Sequence, residues 1–120
     1  MRDDKENLIV DLSLGFAKKL IRFTADLDRL GKFVIARQLL RAGTGIGANV
    51  REAQNAESKA DFIHKMKVAA KEADETEYWL LLIDSNDGSP DCKELLSDCG
   101  RIIRILSKII SSSKKSNKGL

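Results

Sequence analysis

The stretch SKADFIHKMKVAAKEADETEYWLLLI, Ser58 to Ile83, decides the fold. Phe62, Met66, Ala69, Ala73, Thr76, Leu80 and Ile83 recur at alternating spacings of four and three. That period places them along one side of an α-helix, whereas a strand would scatter them over both faces. Ser58 with Asp61 three residues on resembles a capping box, Asp standing where Glu is usual, and predicts the start. Ser85-Asn86-Asp87-Gly88 is a turn signal and predicts the stop.

The same period extends in both directions. Upstream, roughly Phe33 to Ala56 carries Ala36, Leu39, Leu40, Gly43, Ile46, Gly47, Val50 and Ala53 on one face. Before it, Leu8 to Leu30 carries Ile9, Leu12, Phe16, Leu20, Phe23, Leu27 and Leu30, closed by Gly31 as a helix-terminating glycine. Downstream, Ser89 reads as an N-cap with Pro90 at the first helical position, followed by Cys92, Leu95, Cys99, Ile102, Leu106 and Ile109. Four long helices with short connections predict an all-α fold, an antiparallel up-down-up-down four-helix bundle. The bundle is expected over residues 1–112, with 113–120 a flexible basic tail. Second apolar rows (Ile63, Ala70 and Leu81; Leu96, Ile103 and Ile110) suit either a broad core contact or an oligomer that covers them.

Composition agrees with this fold. The chain has 120 residues, 42% hydrophobic and 32% charged, with a single proline, too few turn formers for a β-rich domain. Its longest apolar run, around Trp79 to Ile83, falls far short of the roughly 20 residues of a membrane span. The charged opening Met1 to Glu6 is not a secretory signal, and two cysteines without one point to a reducing, cytoplasmic setting.

Catalytic chemistry finds no cast. GTGIGA, Gly43 to Ala48, matches a dinucleotide fingerprint, but that motif needs a preceding strand, and here the flanking residues have helical period. Gly43 and Gly47, four apart, read instead as a close helix–helix contact. Glu72-x-x-Glu75 and Asp91-x-x-Glu94 invite comparison with all-α nucleotide pyrophosphatases, where carboxylates on adjacent helices share magnesium. An antiparallel hairpin separates these pairs by about 10 Å along the axis, too far for one ion. His64 is the only histidine, and Cys92 and Cys99 sit seven apart within an apolar stripe as small core residues. No metal, no cofactor and no enzymatic activity are expected.

Charge is more informative. The net is +3, unevenly laid out. From Leu12 to Arg51 it is +6, from Glu72 to Glu94 it is −7, and from Arg101 onward +6. Lys18, Lys19, Arg22, Arg37, Arg41 and Arg51 are therefore candidate contacts to an RNA or DNA backbone. The competing reading pairs them with Glu72, Asp74, Glu75 and Glu77 inside a protein-interaction module. A half-buried Arg41, beside Leu39 and Leu40, would need a carboxylate, with Glu75 or Glu77 the natural choice. Aromatic residues are 5% of the chain, so a base-stacking platform is not supported.

Three motifs, RAGTGIGANVREA (Arg41 to Ala53), SKADFIHK (Ser58 to Lys65) and ETEYWL (Glu75 to Leu80), resemble a bacterial four-helix-bundle family. That family includes proteins encoded in intervening sequences of large-subunit ribosomal RNA genes, often labelled ribosomal proteins. It is related to the accessory protein of diversity-generating retroelements. The resemblance covers roughly Leu12 to Ser112. It implies a homopentameric ring with no catalytic activity, and nucleic acid or a protein such as a reverse transcriptase as partner. Gly47 departs from the family pattern, in which many relatives carry proline.

Overall fold

Each of the four stripes forms a helix. The computed structural model describes residues 4–118, as α1 (Asp4–Arg29), α2 (Phe33–Ala53), α3 (Lys59–Asp84) and α4 (Lys93–Lys118), with no strand among them. None is long and apolar enough to cross a membrane.

The ends follow from local hydrogen bonding. Gly31, at φ 79°, closes α1 in a Schellman motif. The Lys32 amide donates to the Leu27 carbonyl and the Gly31 amide to that of Asp28, both at 2.9 Å. The α-helix of α2 stops at Ala53, short of the expected Ala56, because Gln54, Asn55 and Ala56 donate to carbonyls three residues back in tighter turns. At α3 the Ser58 hydroxyl accepts from the Asp61 amide at 3.0 Å, while the Asp61 carboxylate accepts from the Glu57 amide at 3.1 Å. The box thus reaches one residue further out than usual.

The start of α4 corrects the sequence reading. Ser89 does not cap it: its amide closes the turn onto the Asn86 carbonyl at 3.2 Å, and Pro90 stays outside the helix. The first helical bond is accepted by Cys92, from the Leu96 amide at 2.9 Å, and Asp91 accepts from the Lys93 amide at 3.1 Å. At its other end α4 continues to Lys118, past residue 112, and residues 119–120 of the expected tail lie outside the described residues.

Each helix packs on two neighbours, α1 on α2 and α4, α3 on α2 and α4, and none on the helix diagonally across. Gly43 lies against Leu20 and Gly47 against Ser13, Arg41 reaches Glu75 and Glu52 reaches Lys65, Cys92 meets Leu80 and Cys99 meets Ala73. The core runs the length of this bundle. Ile9, Leu20, Leu27, Leu39, Ile46, Met66, Leu80 and Leu106 are fully buried, each worth about 1.5–3 kcal/mol relative to exposure. Buried Ser13, Thr24 and Thr76 satisfy their hydroxyls on carbonyls of their own helices, those of Val10, Leu20 and Glu72. Leu30, expected in the α1 stripe, is 55% exposed because the chain has already turned there.

Candidate nucleic-acid interface

The two glycines predicted at a close contact lie on the side of α2 that faces α1. A Cβ at Gly43 would stand 1.9 Å from the Leu20 side chain, and one at Gly47 would stand 3.4 Å from the Ser13 hydroxyl. All of Gly43 to Ala48 lies within α2, so its amides serve helix hydrogen bonds and present no phosphate cradle. Outside this contact runs a groove of about 180 Å³ lined by Leu14, Ala17, Thr44, Ala48 and Arg51.

The six predicted cations divide. Lys18, Arg22, Arg37 and Arg51 are exposed, and among the described residues none has a carboxylate within 4.0 Å. Lys18 and Arg22 are neighbours one turn apart on α1, whereas Arg37 and Arg51 stand about 21 Å apart along α2 at 1.5 Å per residue. Lys19 is engaged by α4, its ammonium 2.8 Å from both Glu94 and Asp98. Those bonds, Asp98 first, raise its pKa above the ordinary lysine value.

Arg41 meets Glu75, one of the two carboxylates named for it. It is 52% exposed and spans the α2–α3 seam, bonded to the Glu75 carboxylate and to Gln38 at 3.0 Å, with Glu72 at 3.7 Å. Glu77 takes no part. Glu75 also accepts from the Trp79 indole at 2.9 Å, and this bond, then Arg41, holds its carboxyl below the usual range. Gly45 lies beneath the seam, where a Cβ would stand 2.7 Å from the Glu72 carboxylate, the far end of a flexible side chain.

The remaining chemistry-bearing residues are structural or solvated. His64 is exposed on α3. The Cys99 thiol donates to the Ala73 carbonyl at 3.4 Å and that of Cys92 to Leu80 at 3.5 Å. Burial, aided by nearby carboxylates, pushes them up to about 12 and about 11 respectively. Among the described residues no group of three or more His, Cys, Asp or Glu could hold a metal ion.

The sequence reading counted the basic block from Arg101 onward without naming its residues as candidates, and left Lys67 and Lys71 out altogether. Lys67 and Lys71, in the first half of α3, are exposed, as are Arg101, Arg104 and Lys108 on α4. A charge count beginning at Glu72 leaves the two lysines out, although residues 59–71 hold four lysines against one acid, Asp61. Counting charge by half-helix would have found them.

Comparison with known proteins places this arrangement among relatives. A family model described as 23S rRNA-intervening sequence protein matches residues 5–108. The chain is also similar to a crystal structure of a protein of unknown function from the S23 ribosomal protein family of Bacteroides thetaiotaomicron. The two share 41% identity over 89% of this chain and 98% of that one, with a TM-score of 0.85. No curated protein matches the chain.

Proposed function

Since the chain belongs to the 23S rRNA-intervening sequence protein family, we propose that it is a non-enzymatic, homo-oligomeric adaptor that binds a nucleic-acid backbone through basic surfaces. The observation that carries this reading is the set of exposed cations that have no carboxylate partner among the described residues, Lys18, Arg22, Arg37 and Arg51 included. Unpaired surface cations attract polyanions and lose that attraction as salt screens them.

The proposed architecture is an antiparallel up-down-up-down four-helix bundle, supported by the opposed registers of successive helices. Assembly into a homopentamer rests on the family resemblance. It is supported by large apolar side chains left in solvent: Leu14, Ile21, Val34, Tyr78 and Leu81 are each more than half exposed. Absence of catalysis is supported by two buried, raised-pKa thiols and a solvated His64. A cytoplasmic location fits free thiols.

A second reading, an oligomeric protein-interaction module without nucleic acid, is favoured by Lys19 and Arg41, which are already paired internally. Light scattering for molar mass, combined with titration of labelled RNA at two salt concentrations, separates the two. A mass near five chains with salt-sensitive binding is the expected result. An oligomer that binds no RNA or DNA moves the function to a protein partner, and a monomer removes the ring.

A further inference from the structure

We propose that the outer face of α3 and α4, toward the α3 N-terminus, is the main binding site for the phosphate backbone of a nucleic acid. This deepens the adaptor reading and rests on it, moving the principal contact from α1 and α2, where the six sequence candidates lie, to the opposite side of the bundle.

Residues 59–71 and 101–115 together carry nine basic side chains against one acid, Asp61. Lys65 is drawn away to Glu52 of α2 at 3.2 Å. Lys67, Lys71, Arg101, Arg104 and Lys108 are exposed, and among the described residues none lies within 4.0 Å of a carboxylate. The thiol contacts set the register. With Cys99 on Ala73 and Cys92 on Leu80, Lys71 stands about level with Arg101, and Lys67 with Arg104. Two rows of cations thus stand at the same height on this outer face, with steps along each helix of about 4.5–6 Å; Arg101, three residues past Asp98, lies toward α1.

The groove between α3 and α4 holds about 410 Å³ and is floored by Ala70, Ile103 and Ile110, with the hydroxyls of Ser107 and Ser111 at its edge. Asp74 also lines it, toward the acidic half of α3, and would repel a polyanion there. No exposed aromatic side chain accompanies the cations in these segments, so the contact is to phosphates and carries no base readout.

Stability gives no reason for this pattern. Lys67 and Lys71, and Arg104 and Lys108, are like-charge pairs at i and i+4, a spacing that destabilises a helix by a few tenths of a kcal/mol per pair. The other basic side chains described above at seams, Lys19, Arg41 and Lys65, meet carboxylates of neighbouring helices. A bound polyanion would relieve the repulsion and release counterions.

The test uses the full chain, labelled single-stranded RNA and duplex DNA of equal length, and a salt series from 50 to 200 mM. One variant is Lys67→Gln/Lys71→Gln/Arg104→Gln; the other is Lys18→Gln/Arg37→Gln/Arg51→Gln. The first is expected to weaken binding at least tenfold and to make the slope of log K against log salt shallower by about 2 for the single strand and about 2.7 for the duplex. The second, at cations that give secondary contacts, is expected to weaken binding by less and to change the slope by less. Loss of binding confined to the second variant, or equal in the two, overturns this site and leaves the adaptor reading standing. Failure of the unaltered chain to bind either probe at 50 mM salt overturns both. The stronger of the two probes identifies which nucleic acid the site prefers.

Discussion

Helix α3 joins its two neighbours by different means. Against α2 the seam is closed at the surface, by Arg41 with Glu72 and Glu75, and by Glu52 with Lys65. Against α4 it is closed underneath, by buried thiols that donate to α3 carbonyls, and none of the ion pairs described above crosses it. A seam held by exposed ion pairs uses up its charges. One held by buried small residues leaves the charges above it bare, and the α3–α4 face is where Lys67, Lys71 and Arg104 stand unpaired.

If the α3–α4 seam depends on its interior, truncating that interior has the largest effect. Leu80→Ala, at a fully buried position whose carbonyl accepts the Cys92 thiol, is expected to cost about 2–5 kcal/mol in urea unfolding. A cost below that of any surface substitution would break the comparison.

The α2–α3 seam should respond far less. Glu75→Ala is expected to cost about 0.2–1 kcal/mol, and less at high salt, because its partner Arg41 is exposed. The pH dependence has a definite sign. The Glu75 carboxyl is held below its ordinary value in the fold, so its contribution is present above about pH 4.3 and is lost as pH falls through the lowered value. Acid unfolding curves of the parent and Glu75→Ala should therefore converge at low pH.

Gly45→Ala sharpens the same point with a smaller effect. The added methyl would meet only the carboxylate end of Glu72, which can swing aside. The gain in helix propensity, up to about 1 kcal/mol, should then exceed the loss of a weak contact, and Tm should rise slightly.

The thiols report on the buried seam without altering it. Cys92 and Cys99 have raised pKa values, so the fold holds these protons more tightly than the unfolded chain does. Stability is therefore expected to fall as pH rises above about 8.5, the ordinary thiol value. At pH 8 alkylation should be negligible in the native protein and complete in urea. Rapid native labelling would show that the seam opens.

Much of this was legible in the residues alone. The Met66, Ala69, Ala73, Thr76, Leu80 and Ile83 stripe is buried as its spacing predicts, because one helical period with one apolar side admits one orientation toward the core. Ser58 and Gly31 also act where they were read, since capping depends on neighbours within a few residues. The start of α4 was misread because Ser89 had two local options, and the turn onto Asn86 took its amide. The partner of Arg41 was narrowed to Glu75 or Glu77 and no further. Those two side chains lie on opposite flanks of α3, and spacing along a helix does not say which flank meets α2.

That ambiguity separates the two sources of information. Periodicity and composition dictate the helices, the side each turns inward, and the blocks of charge along the chain, because these depend on residues close in sequence. Which helix lies on which flank depends on how the bundle closes, a property of all four helices at once. Only after closure do Lys19 and Arg41 face carboxylates while Lys67, Lys71 and Arg104 do not, and only then does a chain of modest net charge acquire a distinctly basic face.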